Sequence, residues 1–428
     1  MASDHALGAP GASDWEQKIL PLRRQAKVQD DWLVYRLKEV LPGIMRREGF
    51  DMWIVAAREY NEDPVLLTLL PVTAISARRR TVLLFYLRPG GELEKLSLSR
   101  SGSGHEELYL GVWDQSKEEQ WRAVGRLVRE RDPKSIGIDV SSTFAFGDGL
   151  SHSEFEELSR ALGPDLMART RGAERLAVGW LECRTRRELT AYPGIVEIAH
   201  GIVAEAFSSR VVHPGITTCA DVSWWMRQRM EDLGLRAWFQ PSVSAQRQGD
   251  PNPGADESIL PGDVLHCDVG FHYLGLATDC QQLAYVLKPG EADAPDEIKR
   301  ALGQGNRLQD LLAGEYAAGR TGNQILAGTL EKMRGEGIDG SVYTHPLGYH
   351  GHAAGPIIGL FDHQEGVPGR GDYELFDDTC YAMELNVRVP VAEWGGQEVR
   401  AALEEDIAFT GGKVLFLDGR QTSLHLIK

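Results

Sequence analysis

The chain has 428 residues, more than one hydrophobic core ordinarily supports, so two domains are expected. Its formal charge of −16 argues against nucleic acid or an anionic membrane as a partner. No apolar run approaches the roughly 20 residues of a membrane span, and the first residues lack the basic and apolar regions of a secretory signal. The five cysteines are irregularly spaced without a CxxC pair, a pattern typical of reduced thiols in the cytoplasm.

Strands that alternate with helices predict an α/β domain in the first part of the chain. Residues 1–15 are small and polar and are expected to form a flexible tail, and the domain is predicted over 16–175. The periodicity of the apolar residues predicts helices over 31–48 and 121–131, and buried strands over 52–56, 80–86 and 136–140.

A second domain is predicted over 176–428, after a connecting segment between Arg171 and Arg187. From Asp263 onward the chain is rich in strand patterns. Helical patterns interrupt or precede them at 187–209, 219–233, 297–318 and 321–335.

Asp268 and Asp279 are predicted to be neighbours on two paired strands. Asp268 ends the run Val264-Leu-His-Cys-Asp, where strand alternation places His266 and Asp268 on one face. The partner strand covers 276–287, and a tight glycine-containing connection brings the two aspartates side by side. Two adjacent carboxylates repel each other unless a cation lies between them. Taken alone, both aspartates also fit strand-end or turn positions.

A histidine cluster forms the second motif. Four of the 12 histidines fall within one short segment: His345, His350, His352 and His363. Scattered surface histidines do not usually cluster in this way, and the neighbouring glycines let the backbone approach a ligand closely. The alternative is that these histidines only hydrogen-bond their own loops.

Two glutamates complete the candidate site. Glu384 lies in the apolar run Cys380-Tyr-Ala-Met-Glu-Leu-Asn-Val, where a carboxylate is unfavourable without a partner. Glu405 begins another strand, and alone it would be interpreted as a surface residue. Four carboxylates and one imidazole form an oxygen-rich set, which suits two divalent cations with a water between them.

In order and spacing these motifs resemble those of the pita-bread-fold metallopeptidases, which include prolidase, aminopeptidase P, methionine aminopeptidase and the metal-free creatinases. The resemblance covers nearly the whole chain. It implies an α+β protein, with an N-terminal α/β creatinase-like domain followed by a C-terminal pita-bread catalytic domain of duplicated α+β halves.

The resemblance also implies a metal centre of two divalent ions. Mn²⁺ is expected, with Co²⁺, Zn²⁺ or Fe²⁺ as alternatives. The implied ligands are Asp268, Asp279, His350, Glu384 and Glu405. His352 competes with His350 as the ligand, because His350 follows His345 by one residue more than the family spacing.

The implied reaction is hydrolysis of the peptide bond before proline in a small peptide. Glu384 is expected to act as general base as well as ligand. His345 and His363 are expected to contact the substrate and stabilise the oxyanion or assist the leaving nitrogen, and Arg370 to hold a substrate carboxylate. Three alternatives stay open: an Xaa-Pro aminopeptidase for longer peptides, a metal-free creatinase-like amidinohydrolase and an inactive binding module. The resemblance further implies a homodimer.

Overall fold

The computed structural model describes residues 14–100 and 102–428, so most of the predicted tail at 1–15 lies outside the described residues. The chain divides into two compact units. Leu22–Thr185 is called the N-terminal unit, and Arg186–Lys428 together with the described residues up to Pro21 is called the C-terminal unit. The N-terminal unit ends at Thr185, later than the predicted boundary after residue 175. The helix Glu174–Glu182 runs across that boundary and packs on Ile44 of the same unit through Gly179.

The N-terminal unit is an α/β layer structure, as predicted. Its six-stranded sheet has the order β4-β3-β2-β1-β5-β6. The strands are β1 (Met52–Arg58), β2 (Arg80–Leu87), β3 (Leu93–Ser97), β4 (Leu110–Gly111), β5 (Ile136–Ile138) and β6 (Thr170–Gly172). The helices are α1 (Leu22–Tyr35), α2 (Leu41–Glu48), α3 (Gln120–Arg131), α4 (His152–Met167, kinked at Gly163) and α5 (Glu174–Glu182), with a π-helical turn (Arg36–Val40) between α1 and α2.

The C-terminal unit combines helices with a strongly paired set of strands. The helices are α6 (Arg186–Ala206), α7 (Cys219–Asp232), α8 (Asp296–Ala313) and α9 (Gly322–Gly335). The strands are β7 (Arg236–Ala237), β8 (Ser242–Gln246), β9 (Val264–Val269), β10 (Phe271–Tyr273), β11 (Leu276–Ala277), β12 (Cys280–Val286), β13 (Gly340–Val342), β14 (His345–Leu347), β15 (Thr379–Val391), β16 (Gln397–Thr410), β17 (Lys413–Phe416) and β18 (His425–Ile427). These bounds agree with the predicted helices to within a few residues.

A nine-stranded sheet organises the C-terminal unit. Its main path runs β13-β15-β16-β12-β9-β8, while β14, β17 and β18 pair with β15, β16 and β12. β15 and β16 form a long antiparallel pair in which Glu384 lies opposite Glu404. The pairing continues without interruption from Thr379 to Val391, so residues of one parity share one face along the whole ribbon.

The two faces of this ribbon differ sharply in chemistry. The odd-numbered residues of β16 that precede and follow Glu405, such as Leu403 and Ile407, join a buried apolar cluster with residues of α8 and α9. Met383 and Leu385 do the same on β15. The even-numbered residues, including Glu384 and Glu404, therefore face the opposite side, and that side carries the polar groups.

Within 14–100 and 102–428, no helix combines the length and the apolarity that crossing a lipid bilayer requires. All five cysteines are free thiols, and four of them are buried.

Candidate metal centre

Two antiparallel strands place the aspartates of the site. β9 and β12 pair with Asp268 opposite Gln281, so Asp279, two residues before Gln281, lies diagonally next to Asp268. The chain turns between β10 and β11 through Leu274 and Gly275, both at positive φ, which is the conformation of a tight hairpin turn. The two carboxylates are close enough for a side-chain hydrogen bond.

The glutamates of β15 and β16 are joined by one carboxamide. Gln281 Nε2 donates a hydrogen bond to Glu384 Oε1 at 2.8 Å and another to Glu404 Oε2 at 2.8 Å. The Gln281 Oε1 atom lies 2.8 Å from His266 Nε2, which is the donor because the amide nitrogen already faces the two glutamates. Gln281 therefore fixes the orientation of both carboxylates.

His345 supplies the nitrogen donor of the group. β14 pairs with β15 so that His345 lies opposite Ala382, on the same face as Glu384. Its Nε2 atom is 3.4 Å from Asp279 Oδ2 and 3.4 Å from Glu404 Oε1. Ligand atoms of Asp279, His345 and Glu404 all lie within 4.8 Å of one another.

The carboxyl groups of the site have strongly raised pKa values in the metal-free protein. Burial, with Glu404 and Glu384 adding to it, raises the pKa of Asp268 to about 8. Burial and Glu404 raise the pKa of Glu384 to about 8. Burial is also the main cause that raises the pKa of Asp279 and of Glu404 to about 7. Burial alone would lower the pKa of His345, but Asp279 and Glu404 raise it well above 6.5.

Several polar atoms of this group have no hydrogen-bond partner although they are buried. They are Asp268 Oδ1, Asp279 Oδ1, His345 Nε2 and Glu404 Oε1. A buried polar atom without a partner is costly, and a buried carboxylate is more so. The ligand atoms of Asp279, Glu404 and His345, two carboxylates and one imidazole within 4.8 Å of one another, form a donor set that suits a divalent transition metal. The residues therefore fit the metal chemistry expected from the sequence.

Glu405, a predicted ligand, is not part of this group. Its Oε2 atom lies 3.0 Å from His200 Nε2, and its Oε1 atom accepts a hydrogen bond of 2.7 Å from the Gln421 backbone. Burial lowers the pKa of His200, but the hydrogen bonds with Asp418 and Glu405 raise it to about 10. The reason is strand alternation, which turns Glu405 to the apolar face and Glu404 to the polar face.

The predicted histidines are distributed differently from the expectation. His350 follows β14 in a turn and lies outside the group formed by Asp279, His345 and Glu404. His352 is exposed, with its ring 5.1 Å from that of Trp238 and 4.7 Å from that of His345. His363 is exposed and pairs with its neighbour Asp362 at 2.9 Å.

A cavity of about 190 Å³ opens beside His345. Tyr343, His352, Ile357 and Arg370 line it. The predicted carboxylate-binding arginine therefore lies next to Asp279, His345 and Glu404, the candidate ligands that are called the metal-binding group below. Although His352 is exposed at one side, partial desolvation of its ring lowers the pKa of His352 to about 4, with His345 and Arg370 adding to the shift. Both effects favour the neutral imidazole of His352 at the wall of this cavity.

Solved structures with the same fold extend over almost the whole chain. The X-Pro aminopeptidase from Thermotoga maritima is 16% identical, with a TM-score of 0.63 over 90% of this chain and 99% of that chain. The Xaa-Pro dipeptidase from Bacillus anthracis is 18% identical, with a TM-score of 0.58 over 94% and 100%. The N-terminal domain of the FACT complex subunit SPT16 from Cicer arietinum is 10% identical, with a TM-score of 0.56 over 93% and 99%.

A search of curated proteins found no match. The model of metallopeptidase family M24 matches residues 195–410, half of the chain and most of the C-terminal unit. The matched segment contains every residue of the metal-binding group described above. The chain thus belongs to metallopeptidase family M24, with the pita-bread fold that the sequence motifs predicted.

Proposed function

We propose that this protein is an Xaa-Pro dipeptidase that hydrolyses the bond before proline with two divalent cations. The observation that carries the proposal is the cluster of Asp279, His345 and Glu404, whose ligand atoms lie within 4.8 Å of one another. Asp268 contacts Asp279, and Gln281 joins Glu384 to Glu404, so we assign these two carboxylates to the same metal centre. In this assignment His345 takes the place expected for His350, and Glu404 takes the place expected for Glu405. The buried atoms without hydrogen-bond partners support it, because a cation would satisfy them together.

The reaction needs an attacking water and a group that accepts its proton. Divalent cations bound by these ligands supply a water of lowered pKa and polarise the scissile carbonyl. Glu384 is the proposed proton acceptor: it is less buried than Glu404, and Gln281 binds only its Oε1 atom, which leaves Oε2 for the proton. Gln281 also keeps the Glu384 carboxylate from rotating during the transfer.

The cavity beside His345 supports a dipeptide substrate. Its apolar wall at Ile357 and its aromatic wall at Tyr343 suit a proline ring, and Arg370 can pair with the terminal carboxylate that follows the ring. His352 takes the substrate-contacting role expected for His345 and His363, because it lines the same cavity while His363 pairs with Asp362 on the surface.

Mn²⁺ remains the proposed ion, with Co²⁺, Zn²⁺ or Fe²⁺ as alternatives that the same donor set accepts. The homodimer and the cytoplasmic location expected from the sequence stay predictions.

The test is a metal-supplemented assay of the full chain. The protein, stripped with chelator and reloaded with Mn²⁺, Co²⁺, Zn²⁺ or Fe²⁺, is incubated with Ala-Pro, Ala-Pro-Ala and Ala-Ala. Release of proline from Ala-Pro above the other two is expected, and preferred cleavage of Ala-Pro-Ala would assign an aminopeptidase instead. No hydrolysis of any peptide with any of the four metals would overturn the proposal.

A substitution at Glu384 shows whether the measured hydrolysis comes from this protein or from a contaminating peptidase. Glu384→Gln is expected to lower kcat by about a hundredfold or more, because it removes the proton acceptor. Activity that survives both this change and added chelator would point to a metal-free hydrolase. An unchanged low rate in the variant and the parent would point to a binding module.

A further inference from the structure

Two arginines lie directly opposite each other on the polar face of the β15–β16 ribbon. Arg388 pairs with Arg400, four residues further along β15 than the pair of Glu384 with Glu404. Both arginines therefore share the face of the metal-binding group. Like charges at directly opposed positions destabilise a sheet, so an anion bound between these two solvent-exposed arginines would stabilise it.

The protein itself supplies little compensation. Among the residues that the structure describes, no carboxylate forms an ion pair with Arg388 or Arg400, although the chain carries a net charge of −16. Desolvation lowers the pKa of Arg400, with Glu384 opposing the shift and Arg388 adding to it. The one carboxylate that shares their cavity is that of Glu398, an exposed residue at its outer end.

The arginines open onto a cavity of about 280 Å³, the space of a short side chain with several waters. Neutral groups line the rest of it, among them Asn252 and Ala402. Ala402 on β16 and Asn386, which lies opposite it on β15, separate the metal-binding group from the arginines along the ribbon. Gln246 holds the Arg400 backbone through two hydrogen bonds of 2.8 and 2.9 Å.

The order of residues along β15 places this cavity on the far side of the metal-binding group from the cavity that contains Arg370. His345 lies opposite Ala382, before Glu384, whereas Arg388 follows Glu384 by four residues, about 13 Å along a strand. A peptide whose scissile bond lay at Glu384 would therefore extend towards one cavity on each side.

We propose that Arg388 and Arg400 form a subsite for an acidic side chain on the residue that precedes proline, so that the enzyme prefers Glu-Pro and Asp-Pro. The inference rests on the proposed function for the identity of the scissile bond. It assigns the terminal carboxylate to Arg370 and the side-chain carboxylate to the arginine pair, which can grip it through several charge-assisted hydrogen bonds.

The kinetic test compares substrates that differ only in charge. With the Mn²⁺-loaded full chain, kcat/KM for Glu-Pro is expected to exceed that for Gln-Pro by about tenfold to a hundredfold, the usual strength of hydrogen bonds to a charged group. Arg388→Gln and Arg400→Gln are each expected to reduce this ratio, and the double variant to bring it to about one. Arg334→Gln, which changes an exposed arginine of α9, is the matched control and keeps the ratio.

A charge reversal guards against variants that fail for unrelated reasons. Arg388→Glu combined with Arg400→Gln is expected to reverse the preference, so that Lys-Pro is hydrolysed faster than Glu-Pro. Arg388→Glu alone would pair with Arg400 across the ribbon and only abolish the preference. Equal kcat/KM values for Glu-Pro and Gln-Pro in an active enzyme would overturn the inference and leave the proposed function standing. A second outcome would also overturn the inference. If the arginine variants hydrolyse Ala-Pro as slowly as the parent hydrolyses Ala-Pro amide, then Arg388 and Arg400 bind the terminal carboxylate and not an acidic side chain.

A binding measurement makes the inference independent of turnover. Titration of the Mn²⁺-loaded protein with L-glutamate and L-glutamine compares two ligands with the same α-amino and α-carboxyl groups, so chelation through those groups cancels. The variant without the two arginines distinguishes a γ-carboxylate bound by the arginines from one bound by the metal. Glutamate is expected to bind about tenfold more tightly, and the difference is expected to vanish in the Arg388→Gln Arg400→Gln protein. If no Xaa-Pro peptide is hydrolysed, the proposed function fails, and this titration alone decides for or against the acidic subsite.

Discussion

Glu404 and Glu405 are adjacent along β16, yet their carboxylates lie on opposite faces of the sheet. Glu404 Oε1 lies 3.4 Å from His345 Nε2 in the metal-binding group. Glu405 faces the helices, where its carboxylate lies 3.0 Å from His200 and accepts a hydrogen bond from Gln421. The carboxylate of Glu404 therefore lies beside the candidate ligands, while His200 and Gln421 hold that of Glu405 on the other face.

Exchange of each glutamate for glutamine tests this division. Glu404→Gln is expected to weaken Mn²⁺ binding by at least about tenfold, since loss of even an outer-shell partner of a metal ligand has an effect of this size. Glu405→Gln is expected to keep the Mn²⁺ affinity and to lower the free energy of unfolding by about 2 kcal/mol, because it removes the charge that faces His200. Calorimetric titration with Mn²⁺ and urea unfolding in chelator measure the two effects. The reverse pattern would restore Glu405 as the ligand.

The face of Glu405 was already encoded in the sequence. Val399, Ala401 and Leu403 before it and Ile407 after it form a period-two apolar set that joins the buried cluster. Counting parity along this strand assigns Glu405 to the apolar face and Glu404 to the polar one. The prediction of Glu405 followed the order of residue types in the family motif instead.

The role of His345 could not be obtained in the same way. It depends on the register between β14 and β15, in which His345 meets Ala382 across a long irregular segment. Local periodicity says nothing about such a distant pairing, so the sequence predicts His350 as the ligand, with His352 as its competitor, and assigns His345 to the substrate. The hairpin of Asp268 and Asp279 was accessible, because its two strands are separated by a short turn.

Gln281 is expected to matter for the chemistry although it carries no charge. Its carboxamide bridges Glu384 and Glu404, so Gln281→Ala frees both carboxylates to rotate. We expect kcat for Ala-Pro to fall by about tenfold to a hundredfold, with a smaller change in KM. Gln282→Ala is the matched control, because Gln282 lies on the other side of β12 and bonds His425 at 2.7 Å. An equal loss of activity in both variants would contradict a positioning role for Gln281.

The metal-binding group also predicts how the protein responds to different ions. Its single imidazole favours Mn²⁺ and Co²⁺ over Mg²⁺, which prefers oxygen ligands and keeps its waters. An ion at a hundred times its Kd stabilises the native state by about 2.7 kcal/mol. We therefore expect Mn²⁺ and Co²⁺ to raise the Tm of the chelator-treated protein more than Mg²⁺ at equal concentration. His345→Ala is expected to reduce the difference between the rise in Tm with Co²⁺ and the rise in Tm with Mg²⁺. If that difference in Tm is unchanged in the variant, His345 is not a ligand.

Asp63 and Asp139 are two neighbouring buried acids in the N-terminal unit, and they predict that its stability depends on pH. Asp139 accepts a hydrogen bond of 2.7 Å from Trp53 Nε1 and lies next to Asp63. Burial raises the pKa of Asp63 to about 6, and burial together with Asp63 raises the pKa of Asp139 well above 3.8. Since the folded state holds protons that the unfolded chain releases, the contribution to stability is complete below about pH 4 and declines as the pH rises through 6.

Asp139→Asn replaces the protonated acid with a neutral amide that keeps a donor. It is expected to flatten this decline and to stabilise the unit by about 1 to 3 kcal/mol near pH 7, where the parent has lost the contribution. Hydrogen exchange of the β1 and β5 amides between pH 5 and 8 reports on this unit alone, after correction for the intrinsic exchange rate. Asp165→Asn, at an exposed position on α4, should leave the profile unchanged. A parent whose protection increases from pH 5 to 8 would show that Asp63 and Asp139 are ionised in the folded state, and their expected protonation would then be wrong.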